Sequence, residues 1–198
     1  MHHIYKTRAI ILNSQPIKEA DKQLVLLTEE FGLIKAIAQG TRKIESKLRQ
    51  SIQDFSVSEV ALVKGKAGWR LTNARIDYFI PSKIENQKLF KSVVRNFNLI
   101  ERLVLGESED DLFDLVLEFV EFAIENQKQI LHEDQVNNFE SIFVYQILNI
   151  LGYISQSNFD DNEFDMKKLD LKLINQIALN DRKKINRIIN HSIKTSGL

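Results

Sequence analysis

Residues 28–49 read TEEFGLIKAIAQGTRKIESKLR, and this stretch decides the fold. Glu30, Phe31 and Gly32 form a tight connection, because Gly32 can take the positive φ that closes a hairpin and alternation resumes directly after it. Leu33, Ile34, Ala36 and Ala38 then make a strand that Gly40 ends. Beyond Gly40 come Arg42, Lys43, Lys47 and Arg49, offset by Glu45 and preceded by Lys35. A strand that runs out into such a loop points to a polyanionic partner.

Working outward, residues 5–13 alternate around Thr7, Ile10 and Ile11 and read as a first strand. Residues 14–20, with Pro16, read as its loop, and KQLVLLT at residues 22–28 as the second strand. The third strand spans residues 33–39. Ile44, Leu48 and Ile52 are four apart, which predicts a short amphipathic helix within residues 43–52. FSVSEVALV at residues 55–63 alternates as a fourth strand, with neither face clearly interior; Lys64 to Gly68 is a glycine-bounded turn and residues 69–76 are a fifth strand. Three strands, a short helix and two strands is the order of an OB-fold barrel, a closed five-stranded sheet that binds oligonucleotides.

After Pro81 the apolar period changes from two to about 3.6. Ser82 with Glu85 reads as a capping box for a helix with the stripe Leu89, Phe90, Val93, Phe97, Ile100 and Val104, ended by Gly106. Ser108 with Asp111 precedes a second stripe of Leu112, Val116, Phe119, Val120 and Ala123. A third helix, residues 134–151, buries Phe139, Ile142, Phe143, Ile147, Ile150 and Leu151 and stops at Gly152. Weaker helices are expected over 170–178 and 181–191, after an acidic loop over 155–168. The expected fold is thus α+β, an OB-fold barrel over residues 1–80 followed by an all-helical domain over 81–198.

Composition agrees with a packed, soluble protein: 198 residues, 43% hydrophobic, net charge zero. Residues 1–80 hold 13 Lys+Arg against 8 Asp+Glu, a balance of 13 − 8 = +5, and residues 81–198 hold 14 against 19, a balance of 14 − 19 = −5. An anion-binding first unit and an acidic second unit with another task follow; an uneven draw of solvated charge is the plain alternative. No apolar run is long enough to span a membrane and no signal core follows Met1, so a cytoplasmic protein is expected. The lack of cysteine removes disulfides and thiolate metal sites.

Candidate DNA-binding residues are Lys35, Arg42, Lys43, Lys47 and Arg49, with Lys64, Lys66 and Arg70 if the barrel brings them to one face; a solvated rim is the competing reading. Trp69, and less so Phe55, are candidates for base stacking, with a core role as the alternative. Arg95 and Arg102 lie on the first long helix, where a cation beside a groove could hold a carboxylate-ended peptide. His2, His3, His132 and His191 have no ligand spacing, and the run from Asp160 to Asp165 lacks the glycine a calcium loop needs at its sixth position. No phosphate-binding glycine loop or nucleophile elbow occurs, and Glu109, Asp110 and Asp111 suit a helix start, so no cofactor and no catalysis are expected.

The chain resembles the bacterial recombination mediators of the RecO family. The residues that carry the resemblance are TRAIILNSQPIKEADKQLVLLTEEFG from Thr7, KAIAQGTRKIESKLR from Lys35, QDF from Gln53 and FESIFVYQILNILGY from Phe139, spanning roughly residues 5–153. The resemblance implies an OB-fold, a helical domain and non-catalytic work on the nucleoid. That work is binding single- and double-stranded DNA, annealing complementary strands, binding the acidic tail of single-stranded DNA-binding protein (SSB), and acting with RecR to load RecA. Three departures stand out. Many members carry a cysteine zinc site after Leu-Gly-Tyr, whereas Leu151, Gly152 and Tyr153 lead here into a cysteine-free segment. Many place arginines where Asn137 and Asn138 precede Phe139 and Glu140, which puts the SSB-tail contact in question. The sequence also stops soon after His191, leaving the family's last helical segment short. A protein-interaction adaptor with an OB-like barrel and no DNA role is the alternative from another class.

Overall fold

A computed structural model describes residues 3–17, 19–41, 46, 48–104, 111–154, 166 and 168–195. The strands are β1 (Tyr5–Pro16), β2 (Lys22–Thr28), β3 (Gly32–Ala38), β4 (Ser56–Gly65) and β5 (Gly68–Phe79), closed into a barrel in the order β1-β2-β3-β5-β4. All pairings are antiparallel except β3 with β5, which run parallel. This is the OB-fold barrel expected from the order of strands. The parallel β3–β5 pairing that closes it is short, joining Ala36, Ile37 and Ala38 to Trp69, Arg70 and Leu71.

The alternating pattern sends Ala9, Ile11, Leu24, Leu26, Ile34, Ala36, Val60, Leu62 and Leu71 into one core, joined by Ile52. The fourth strand, ambiguous in sequence, turns Val60 and Leu62 inward, and the neighbouring Val57 and Val63 are buried too. Of two expectations for the hairpins, one holds and one changes. Gly32 does close the β2–β3 turn with φ +60°. The segment read as a loop after residue 13, however, continues β1: Ser14, Gln15 and Pro16 pair with Leu24, Gln23 and Lys22 past a bulge at Leu12. Pro16 is tolerated because it is the last residue of the strand, where a missing N–H interrupts no ladder.

Between β3 and β4 the described helix is α1 (Leu48–Ser51), tied to β4 by the Ser58 hydroxyl, which donates to the Ser51 carbonyl at 2.9 Å. Phe55 has φ +69°, an unusual value for a bulky residue. Its N–H donates to the Ile11 carbonyl at 2.7 Å and its carbonyl accepts from Ile80 N–H at 3.0 Å, so two backbone bonds hold it there. Phe55 is thereby a backbone tie of the barrel.

The helices are α2 (Gln87–Leu103), α3 (Leu112–Asn126), α4 (Glu133–Ile150), α5 (Leu171–Gln176) and α6 (Leu179–Thr195). Their stripes are buried as expected, with Phe90, Ile150 and Leu151 only half-buried. Phe119 stacks on Phe139 and Phe143 with ring centroids 4.0 and 3.6 Å away. The capping box at Ser82 is not formed. Pro81 lies in a 3-10 turn (Ile80–Ser82), the Ser82 hydroxyl donates to the Phe79 carbonyl, and the start of α2 is capped by Asn86, whose Oδ1 accepts from Lys88 and Leu89 N–H at 3.1 and 3.2 Å. Asparagine caps as well as serine, and here it is the residue adjacent to the first turn. Gly106 and Ser108, expected to end one helix and begin the next, lie outside the described residues.

Gly152 stops α4 with φ +73°. Tyr153 N–H bonds the Leu148 carbonyl at 2.8 Å and Gly152 N–H the Asn149 carbonyl at 3.1 Å, which satisfies two of the helix's terminal carbonyls. By compactness the chain divides into Met1–Lys83 with Val104–Phe113, and Ile84–Leu103 with Asp114–Leu198. Among the described residues no helix is long and apolar enough to cross a membrane.

Candidate nucleic-acid interface

The parallel pairing of β3 with β5 builds the site. Ala36 lies opposite Trp69 and Ile37 opposite Arg70, while on the other side of β5 Lys64 lies opposite Trp69. Because Ala36 and Ala38 face the core, Lys35 turns outward beside Ile37, on the side from which Arg70 projects. Lys64 and Trp69 instead continue the inward row of Leu62 and Leu71 to the barrel rim. Gly65 pairs with Gly68 to close the β4–β5 hairpin, whose tip carries Lys66; Gly68 has φ +103°. Four of the expected cations, Lys35, Lys64, Lys66 and Arg70, are exposed: Lys64 shares the row of Trp69, Lys66 stands at the hairpin tip, and Lys35 and Arg70 stand on the outer face. Arg49 is exposed on α1, which packs beside β5. Arg42, Lys43 and Lys47 lie outside the described residues.

Trp69 is half-buried, packed against the barrel core on one side. The Lys64 ammonium sits over its ring, 5.1 Å from the centroid. Two rings that sequence reasoning passed over complete the rim: Tyr5 lies 5.4 Å from both Phe31 and Trp69, and Phe31 lies 5.0 Å from Trp69. Their only signal in the sequence is position, each standing at or just before a strand start, and the shared rim follows from barrel closure.

A second surface of the barrel is electrostatically different. A cleft of about 460 Å³ is lined by Lys6, Arg8 and Arg75 together with Glu29, Glu30 and Glu59. Arg75 pairs with Glu59 at 2.8 Å and Arg8 with Asp77 at 3.6 Å. Hydrogen bonding to Glu59, then its charge, holds the Arg75 guanidinium above its ordinary value. Three cations balanced by three carboxylates make a poor track for a phosphate backbone.

In the helical unit, Arg95 on α2 is engaged by Glu140 on α4: its Nε donates at 2.8 Å and a second guanidinium nitrogen donates to the other carboxylate oxygen. That hydrogen bond raises the Arg95 pKa against the opposing effect of burial. Arg102 is exposed in the last turn of α2. A groove of about 450 Å³ is lined by Arg95, Asn137, Val144, Arg182 and Ile189, among others. Arg182 had no signal in the sequence as a site residue. It comes from α6, and its guanidinium is bound by Asp134 Oδ1 at 2.9 Å and Asn138 Oδ1 at 3.1 Å. Asn138 itself is buried, donating to the Ile174 and Ile177 carbonyls at 2.9 Å each. The acidic run from Asp160 to Asp165 and the residues His2, Glu109 and Asp110 lie outside the described residues.

Comparison with known proteins bears on the barrel first. Residues 1–79 match the family described as Recombination protein O N terminal. The DNA repair protein RecO of Gloeobacter violaceus is 25% identical over 156 residues, covering 78% of this chain and 58% of that protein. The protein of the same name from Heliobacterium modesticaldum is 34% identical over 114 residues, 58% of this chain and 42% of the relative. That from Dehalococcoides mccartyi is 48% identical over 65 residues, 33% of this chain and 26% of the relative. The chain thus matches between about a quarter and three-fifths of the length of these relatives.

Proposed function

We propose that this chain, whose residues 1–79 match the N-terminal family of recombination protein O, is a RecO-like, non-enzymatic mediator of DNA repair and recombination that binds DNA through its barrel. The observation that carries this reading is that Lys35, Lys64, Lys66 and Arg70 are all exposed on or between the neighbouring strands β3, β4 and β5 of an OB barrel. Exposed cations on neighbouring strands neutralise phosphates, and two strands bound to such a surface repel one another less. Annealing of complementary strands follows from that screening and requires no nucleotide. Arg49 adds to this basic character, and Arg42, Lys43 and Lys47, which lie outside the described residues, are proposed as DNA-binding on their chemistry alone.

The helical unit is assigned the protein contacts: RecR, the acidic SSB tail, and RecA indirectly. The groove beside Arg95 and Arg182 has the apolar Val144 and Ile189 that a carboxylate-ended hydrophobic tail would need. Asn138 is bonded to α5 and to Arg182, and Arg95 and Arg182 are already paired with Glu140 and Asp134, so a tail carboxylate has to compete with those acids. Arg102 is a further, exposed candidate. A cysteine zinc centre does not fit, since the chain has no cysteine. In this reading the protein works in the cytoplasm, on the nucleoid.

The balanced charge of the Lys6–Arg8–Arg75 cleft favours a protein contact there and is what an adaptor without DNA binding would use. Annealing of complementary oligonucleotides, with and without magnesium, separates the readings. Intact annealed product supports the mediator, no retention of DNA supports the adaptor, and cleaved product supports an enzyme. Salt dependence is the sharper test: at about 0.7 in the logarithmic slope for each phosphate neutralised on a single strand, four cations give a slope of roughly −3. Lys35→Glu/Arg70→Glu should lower its magnitude by about 1.4, and an unchanged slope would remove these residues from the interface.

A further inference from the structure

We infer that Tyr5, Phe31 and Trp69 form a stacking site for an unpaired nucleobase, so that the barrel holds single strands in preference to duplex. The inference rests on the DNA-binding reading and adds to it the source of strand discrimination. Three rings from separate segments, the start of β1, the β2–β3 turn and the start of β5, converge with centroids 5.0–5.4 Å apart. The barrel core behind them is 0–9% exposed, whereas these rings are only partly buried against it. Tyr5 stands at 79° to the indole and Phe31 at 40°, so both wall Trp69 in. What lies over the ring is the ammonium of Lys64, an exposed group on a flexible stem.

That arrangement is suited to exchange. An ammonium over an exposed ring contributes less than a stacked base does, so a base can take the place of Lys64. The released ammonium is then within its own side chain's reach of the backbone phosphate beside that base. Lys66 stands at the tip of the same hairpin, and it and Lys64 are the exposed cations nearest in sequence on the Trp69 side for the phosphodiesters beside the base. A base paired within a duplex keeps its faces against its neighbours and cannot enter.

The test compares binding of the full chain to an oligothymidylate, to an abasic phosphodiester of the same length, and to a duplex, all at one salt concentration. Wild-type protein should hold the base-bearing single strand about tenfold more tightly than the abasic one. Trp69→Leu should bring those two affinities together, while Trp69→Phe retains most of the preference. Equal affinity of the wild type for base-bearing and abasic strands would overturn the inference and leave the DNA-binding reading standing, and this comparison needs no variant to fold. A parallel loss on both strands in Trp69→Leu would also overturn it. Failure to bind any of the three would overturn both.

Discussion

Asn138 offers the clearest structural test, because the family resemblance marks it as a changed binding position whereas the fold uses it as a strut. Its amide donates to the carbonyls of Ile174 and Ile177 at 2.9 Å each, and its oxygen accepts from Arg182 at 3.1 Å. Ile174 is among the last four residues of α5, whose carbonyls have no partner within the helix. Asn138 is only 3% exposed, so water cannot replace those bonds without opening the packing. Asn138→Ala therefore leaves two buried carbonyls unmatched, at about 1–2 kcal/mol each, while Arg182 keeps its bonds to Asp134. The sum is roughly 3 kcal/mol. At about 2–4 °C per kcal/mol for a chain of this size, Tm should fall by roughly 6–12 °C. Urea unfolding followed by far-ultraviolet circular dichroism reads the helical unit directly. Asn137→Ala is the control: Asn137 lines the groove, and its loss should change stability by less than about 0.5 kcal/mol. If Asn138→Ala unfolds within about 1 kcal/mol of wild type, the assignment of Asn138 as a tie to α5 and α6 is wrong.

Other outcomes are equally definite. Gly152→Ala meets open space but must hold φ +73°, so it should cost about 1 kcal/mol, measured as a shift in the urea midpoint; no shift would mean that α4 ends differently. Leu26→Ala, at a fully buried barrel position, should destabilise the barrel by about 2–5 kcal/mol, which loss of the Trp69 fluorescence transition at lower urea would report. Hydrogen bonding to Glu140 raises the Arg95 pKa above its ordinary value, so that contribution is fully present below the unfolded value and is lost only as pH climbs past the folded one. The stability difference between wild type and Arg95→Ala should thus stay constant from about pH 7 to 9, and a drift in chemical-denaturation curves across that window would assign the effect to another group.

Local physics made much of the chain legible. Period-two alternation marked the strands, Gly32 and Gly152 stand at positive φ where a turn and a helix stop were expected, and the apolar stripes of α2, α3 and α4 are buried as read. Local rules failed where two good local solutions compete. Ser82 and Asn86 can each cap a helix, and the 3-10 turn at Pro81 decides for Asn86. Pro16 signals a loop, yet pairing with Lys22 carries the strand through it.

The amino-acid sequence alone determined the order of elements, the alternation of the strands and the basic character of residues 1–80, because each depends on side-chain chemistry repeated over a few neighbouring positions. Tertiary structure alone decided which charges act together. Lys35 and Arg70 become neighbours because β3 and β5 pair in parallel across a closed barrel, Tyr5 and Phe31 reach Trp69 for the same reason, and Arg182 meets Asp134 and Asn138 across helices far apart in the chain. Such contacts are set by the register of non-local pairings and by helix packing, and no local pattern of residues encodes their geometry.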